Sequence, residues 1–454
     1  MDYHIESISY CLSVRKPPNF MSSPALSHVP HLVTALTGPL HEIESRLLAE
    51  QSRIESWLRS EWRQTPAPLY ASVDLRNAGF KIAPVDTNLF PAGFNNLNPA
   101  FIPLCVQAFQ AKMEQICDTA SQILLIPEDH TRNLFYLESL ATLREIIEKA
   151  GYEVRIGSLR EDLEAPASFA LPSGRTLIQE PVVRRGRRVG LADFDPCVIV
   201  LNNDLIGGIP PILEDIEQMM FPPPALGWSN RLKSGHFSHY HEVASEFARL
   251  IDIDPWLINP MFRNCGELNL QDPEGKHCLE KNVDRLLTEI RRKYDEYGID
   301  RPPFVVIKAD AGTYGMAIIS VRSVEEVRQL NRRQRTRLQS MKGGAPVTRL
   351  LLQEGVYSYE TWGPNEAVAE PVVYMIDHFV VGGFYRVHTE RGPDENLNAP
   401  GMHFEPLAFH ESCNIPDRDR DPDAEPNRFY TYGVIARLAL LAAARELAEH
   451  RNAR

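Results

Sequence analysis

The sequence predicts an α/β protein with α+β elements, built from more than one domain, on three observations. A chain of 454 residues exceeds what one hydrophobic core usually serves. The stretch "QILLIPEDHTRNLFYLESLATLREIIEKAGYEVRIGSL" runs from an apolar strand through a helix of 3.6-residue period to a second strand. The stretches "PFVVIKADAGTYGMAIISV" and "PVVYMIDHFVVGGFYRVH" each place two β-branched runs around a short turn, which predicts antiparallel hairpins.

The elements follow in order. Residues 1–30 are proline-dotted and aperiodic and read as an N-terminal extension with no predicted order. From Val33 to Trp62, Leu36, Leu40, Ile43, Leu47, Leu48, Ile54 and Leu58 recur at helical spacing, as one amphipathic helix or a pair divided at Gly38 and Pro39. Between Asp74 and Asn98, Asp74, Arg76, Asn77, Lys81, Asp86, Asn88, Asn95 and Asn96 crowd around Gly79, Pro84, Pro91 and Gly93. Such a segment binds a charged ligand or caps its own loops. In the βαβ unit, Leu134, Leu137, Leu140, Leu143 and Ile147 mark the helix and Gly151 its stop. The strand in "PCVIVLNNDLIGG" ends in Asn202, Asn203 and Asp204, a ligand site of an open α/β sheet or a turn rich in caps.

The proline-rich "MMFPPPALGW" marks a boundary near residue 225, which divides an N-terminal α/β domain, 31–225, from a second domain, 226–454. Beyond it come helices in "YHEVASEFARLIDI" and "NVDRLLTEIRRKYDEYG", the hairpin whose first strand ends in Lys308, the strand "TRLLLQEGV", and the hairpin whose second strand ends in Arg386. The apolar "GVIARLALLAAARELA" is interrupted by Arg437 and Arg445, which makes it a packed helix and not a bilayer span.

A formal net charge of −12 argues against a general nucleic-acid or anionic-membrane surface. "RRGRR" and "NRRQRTR" therefore read as solvated hairpin or helix faces. Seven cysteines form no CxxC pair and no zinc spacing, as in a reduced cytoplasmic protein, and the first residues lack the apolar core of a signal peptide.

Lys308 at the end of a buried strand is either a snorkelling edge residue or a fixed charge aimed at phosphates under the glycine turn. The order of features decides. The strand ending in Lys308, the glycine hairpin, "LLQEGV" and the strand ending in Arg386 together resemble the ATP-grasp fold, here preceded by a Rossmann-like α/β domain. The resemblance implies phosphate contact by Lys308, a nucleotide-covering hairpin of Asp310, Gly312, Thr313, Tyr314 and Gly315, an adenine-facing hinge of Gln353, Glu354, Gly355 and Val356, and a transferred phosphoryl group met by Arg386.

Longer segments narrow the family. "SVDLRNAGFKIAPVDTNLFPAGFNNLNP", "PEDHTRNLFYL", "LNNDLIGGIP", "IKADAGTYGM" and "GGFYRVHTERGPDENLNAPGMHF" resemble the proteobacterial glutamate-cysteine ligases that are unrelated in sequence to the enterobacterial form. This resemblance implies ATP-dependent joining of the glutamate γ-carboxylate to the cysteine amine, with glutamate, cysteine and ATP as small-molecule partners, and it allows a homo-oligomer. Amino-acid contacts are expected from Asp74, Arg76, Asn77, Lys81, Asn95, Asn96, Arg132, Asn133, Asn202 and Asn203. The C-terminal helix lacks the magnesium ligands usual in ATP-grasp ligases. Two oxygen-rich sets could replace them: Asp86 with Asn88, or Glu395 with Asn396 and Asn398. The alternatives are an ATP-grasp ligase for other amino acids and a non-catalytic nucleotide-binding regulator.

Overall fold

The computed structural model describes residues 39–129, 133–270, 272–312, 318–338, 348–406 and 428–452. In chain order these begin with α1 (Pro39–Ala49), α2 (Gln51–Gln64), β1 (Tyr70–Asn77), β2 (Ile82–Asn88), α3 (Ile102–Ile116), β3 (Gln122–Pro127), α4 (Leu134–Lys149) and β4 (Glu153–Ser158). Short strands follow: β5 (Ala167–Ala170), β6 (Thr176–Pro181), β7 (Val183–Arg185), β8 (Arg188–Gly190), β9 (Val198–Asn202) and β10 (Met219–Phe221). Then come α5 (Lys233–Ile251), β11 (Phe262–Glu267), α6 (Pro273–Glu296), β12 (Val305–Ala309), β13 (Ile318–Val321), α7 (Val324–Arg328), α8 (Arg332–Leu338) and β14 (Arg349–Glu354). The chain closes with β15 (Thr361–Trp362), β16 (Ala367–Ile376), β17 (Phe379–His388), β18 (His403–Pro406) and α9 (Arg428–Asn452).

Three sheets organise these elements. The first, in order β10-β9-β3-β4-β6-β5, is parallel except at β5, and the expected βαβ unit is its centre. The second, β11-β14-β12-β13, is antiparallel and contains the Lys308 hairpin, with Lys308 opposite Ile318 and Leu351. The third, β18-β17-β16-β1-β2 with β15 beside β16, is antiparallel and draws strands from both sides of residue 225. "RRGRR" lies in the β7-β8 hairpin, and "NRRQRTR" forms α8. Among the described residues the first helices break at Glu50; Gly38, where a division was expected beside Pro39, lies outside them.

Period-two alternation gives the third sheet two unlike faces. Ala71, Val73 and Leu75 of β1, with Ala369, Val373 and Met375 of β16, pack in one core with α9, whose Val434, Ile435, Leu438 and Leu441 are fully buried. The two arginines that interrupt the apolar run of α9 are each paired: Arg437 with Glu55 at 2.8 Å, and Arg445 with Glu246 at 2.6 Å and Glu61 at 3.0 Å. The opposite face is apolar at one end, through Tyr70, Val372, Tyr374 and Ile376. At its other end it carries Asp74, Arg76, Glu370 and Arg386. No helix of the described residues is long and apolar enough to cross a membrane.

Candidate active site

The strand register brings the charged residues together. Asp74 lies opposite Asp86 across the β1-β2 ladder, and Glu370 opposite Arg386 across β16-β17. Arg386 Nη1 donates to Asp74 Oδ2 at 2.9 Å and also to Glu370 Oε1, while its Nε has no hydrogen-bond partner among the described residues. These two carboxylates hold the guanidinium well above its ordinary pKa despite burial. Burial is also the largest influence on Asp74, whose pKa is raised with the help of Glu370 and Asp86 against the pull of Arg386. The sheet end is therefore crowded with carboxylate.

Lys308 reaches this cluster from the second sheet. Its Nζ donates to Val85 O at 2.7 Å and Gln353 Oε1 at 2.8 Å, and the residue is only 6% exposed. Burial pushes its pKa down to about 7, with Lys233 adding to the shift and Asp86 opposing it. Of the two readings of Lys308, the structure removes the snorkelling one, because the ammonium is buried and held by two acceptors.

Sequence reasoning missed two members of the cluster. Lys233, first residue of α5, places Nζ 2.6 Å from Asp86 Oδ1 and 4.2 Å from the centroid of the Trp228 ring. Lys233 and Lys308 together hold the Asp86 carboxyl below its usual range against the cost of burial. The available signal was a cation in the first turn of a helix, where the dipole disfavours it. Glu370, the second omission, is a lone carboxylate inside the apolar run "AVAEPVVYMI".

Other expected residues are engaged by the protein itself. Lys81 is 0% exposed and pairs with Glu354 at 2.8 Å; Glu354 also accepts from Trp256 Nε1 at 3.0 Å and Met261 N at 2.9 Å. Lys81 and hinge residue Glu354 thus face each other in the core. Gly355 N donates to Phe304 O at 2.8 Å, and Val356 O accepts from Arg76 Nη1 at 3.1 Å. Arg76 also reaches Glu370 at 3.1 Å and Glu395 O at 2.5 Å, which ties sheet, hinge and the loop after β17 together. Asn77 accepts from Gly79 N at 2.9 Å in the β1-β2 turn. Asn133 caps α4 through Tyr136 N at 3.3 Å, Asn202 Nδ2 donates to Pro91 O at 2.9 Å, and Asn203 Nδ2 donates to Pro127 O at 3.0 Å. Asn133 thus caps a helix and Asn203 Oδ1 caps its own turn through Leu205 N at 3.0 Å, whereas Asn202 ties the end of β9 to Pro91 and Tyr136. Asn95 donates to Asn96 Oδ1 at 3.3 Å and lines a cavity of about 830 Å³ with Ile102, Glu138 and Arg175; neither Lys308 nor Arg386 is in its wall. Arg132, Thr313, Tyr314 and Gly315 lie outside the described residues, whereas Gly312 adopts φ 88°, as a turn glycine can.

The two proposed magnesium sets differ. Glu395 closes on its own loop, accepting from Arg391 at 2.8 Å and Gly392 N at 2.7 Å, and Asn396 Oδ1 accepts from Asn398 N at 3.0 Å. Asn88 Oδ1 accepts from Phe90 N at 2.9 Å. Asp86 keeps one carboxylate oxygen beyond its Lys233 contact, and its side chain is 37% exposed. Among the described residues, no group of three or more His, Cys, Asp or Glu side chains is arranged to hold a metal ion.

Comparison with known proteins bears on this arrangement. The family model for glutamate-cysteine ligase, GshA, matches residues 44–447. A provisionally assigned gamma-glutamylcysteine synthetase from Methylobacillus flagellatus KT is 58% identical, with a TM-score of 0.86, covering 93% of this chain and 99% of that one. A glutathione synthetase-like effector from Globodera pallida, 9% identical over 81% of this chain and 80% of that one, reaches a TM-score of only 0.35. D-alanyl-alanine synthetase A from Vibrio cholerae, 11% identical over 70% of this chain and 81% of that one, reaches 0.33. No curated protein matches. The family match runs from α1 into α9 and takes in every charged residue of the cluster, so the chain belongs to the glutamate-cysteine ligase family.

Proposed function

We propose that this chain joins the glutamate γ-carboxylate to the cysteine amine with ATP, at the cluster where Lys308 and Lys233 meet the Asp74, Asp86, Glu370 and Arg386 end of the third sheet. The observation that carries this reading is the pair of buried ammonium groups beside Asp86, facing a buried arginine with an unpartnered Nε. The reading takes the second and third sheets as an ATP-grasp nucleotide site and the parallel sheet as part of a Rossmann-like substrate unit. The expected division into 31–225 and 226–454 is kept with one amendment: β1 and β2 belong with the sheet that carries Arg386.

A carboxylate is a poor electrophile, so ATP must activate it. The γ-carboxylate oxygen attacks the terminal phosphorus, ADP leaves, and an acyl phosphate results. The cysteine amine then attacks the acyl carbon, and inorganic phosphate departs with the bridging oxygen. Lys308 and Lys233 balance charge on the phosphates, and Arg386 balances it on the moving phosphoryl group, where fixed cations are worth most. No protein nucleophile is needed. Magnesium would enter with the nucleotide: Asp86, with Asp74 opposite it on β1, would hold it, and hard oxygen donors fit that ion. We place the reaction in the cytoplasm.

The test is ADP release by purified protein with magnesium and pairs of amino acids. ADP that depends on both glutamate and cysteine, with γ-glutamylcysteine as product, supports the proposal. ADP formed equally well with aspartate, whose carboxylate stops one methylene short of the phosphoryl group, points to a ligase for other substrates.

A further inference from the structure

Asp310 follows Lys308 by two residues and stands at the root of the glycine hairpin, yet it is 0% exposed. Both carboxylate oxygens are taken: Oδ1 accepts from Ser234 N and Oδ2 from Ser234 Oγ, each at 2.7 Å. Its backbone joins in, since Asp310 O accepts from Lys233 N at 2.7 Å and Asp310 N donates to Arg349 O at 3.0 Å. Ser234 Oγ accepts in turn from Asn264 Nδ2 at 3.1 Å, on the edge strand β11. Helix α5 has Leu232 at its N-cap, which supplies no side-chain oxygen, so the cap comes from Asp310, just past β12 of the second sheet. An anion at a helix N-terminus is favourable, and here it also offsets the unfavourable Lys233 in that first turn.

A carboxylate so placed is unsuited to touch a triphosphate directly, because it is negative, buried and fully engaged. Resting on the phosphate role given above to Lys233 and Lys308, we infer that Asp310 is a positioning residue whose clamp on Ser234 sets the separation of the two ammonium groups. Lys308 is carried by the strand that Asp310 ends, and Lys233 by the helix that Asp310 caps. Both ammonium groups then arrive at Asp86, one from the second sheet and one from α5, with the Asp310–Ser234 contact as a short link between them. Phosphoryl transfer depends on such placement, so a loosened clamp degrades turnover without removing any group that meets substrate.

The experiment is a double-mutant cycle on the full chain. Turnover is read as ADP release and ATP affinity by calorimetry for the wild type, Asp310→Asn, Ser234→Ala, Lys233→Met and the two double variants. Asp310→Asn is expected to lower turnover by roughly 10²-fold, the loss typical of a misplacement near 1 Å. Ser234→Ala, which keeps the backbone hydrogen bond, is expected to lower it by about tenfold and serves if Asp310→Asn does not fold. In the Lys233→Met background both losses should shrink to about threefold or less, since residues acting as a unit are not additive. Wild-type turnover in a folded Asp310→Asn protein, or full additivity with Lys233→Met, would overturn the inference. A wild type that binds ATP but turns over no glutamate and cysteine fails the proposed activity instead, and the same cycle is then scored on ATP affinity.

Discussion

Replacing Lys308 by methionine separates its electrostatic role from its bulk. Burial pushes the pKa of Lys308 in the folded protein down from an ordinary 10.5 to about 7. Between those two values the unfolded chain binds the extra proton, so this group makes stability rise with pH, by at most about 1.4 kcal/mol per pH unit. Below 7 its cost is fully present. Methionine abolishes that slope but leaves Val85 O and Gln353 Oε1 without their donor, a loss of about 1–3 kcal/mol for each buried acceptor. Relative to wild type, Lys308→Met should therefore be clearly less stable at pH 9, and about 2–3 kcal/mol of that deficit should vanish at pH 7. Urea unfolding at pH 7, 8 and 9 measures this. Turnover of the folded variant should fall by roughly 10² or more. Because phosphates supply the counter-charge that burial denies, wild-type ATP affinity should tighten from pH 8.5 to 6.5, and the variant's should not. Parallel stability profiles together with near-normal turnover would refute the reasoning.

Three further outcomes are expected. Arg386→Lys keeps the charge but loses the planar guanidinium whose Nη1 bridges Asp74 and Glu370 and whose Nε is left for the moving phosphoryl group, so turnover should drop by about 10²-fold with little change in thermal midpoint, read by calorimetry. Lys81→Ala leaves Glu354 charged and unpaired in the core and should cost about 3–5 kcal/mol in urea unfolding, while KM for glutamate in the folded fraction stays unchanged. A tenfold rise in that KM without loss of stability would restore a substrate role to Lys81. Gly355→Ala would place a Cβ 2.1 Å from the Phe304 ring and should destabilise by about 1–3 kcal/mol or more, partly recovered by Phe304→Leu.

Period and turn chemistry made most of the elements legible. The helical spacing of Leu134 to Ile147, the αL stop at Gly151 with φ 99° and the β-branched arms of the two hairpins are local properties, and the structure has them where the sequence puts them. Sheet membership was not local. β1 pairs with β16 across some 300 residues of sequence, and nothing in "YASVDLRN" announces that partner. The same distance hid the cluster: Lys308, Arg386 and Asp86 stand out as charges beside apolar runs, but Lys233 and Glu370 gain meaning only once the second and third sheets and α5 converge. Part of the polar density between Asp74 and Asn98 serves the fold: Asn77 and Asn88 accept from turn N–H groups and Lys81 pairs with Glu354.

The central claim is that ATP activates the glutamate γ-carboxylate at this cluster by making an acyl phosphate. The most direct measurement supplies glutamate labelled with oxygen-18 in the γ-carboxylate and follows the label by mass spectrometry of the inorganic phosphate released. Attack of the carboxylate on the terminal phosphorus, followed by expulsion of phosphate by the cysteine amine, transfers one labelled oxygen to each phosphate formed. Unlabelled phosphate released in step with γ-glutamylcysteine would contradict the account.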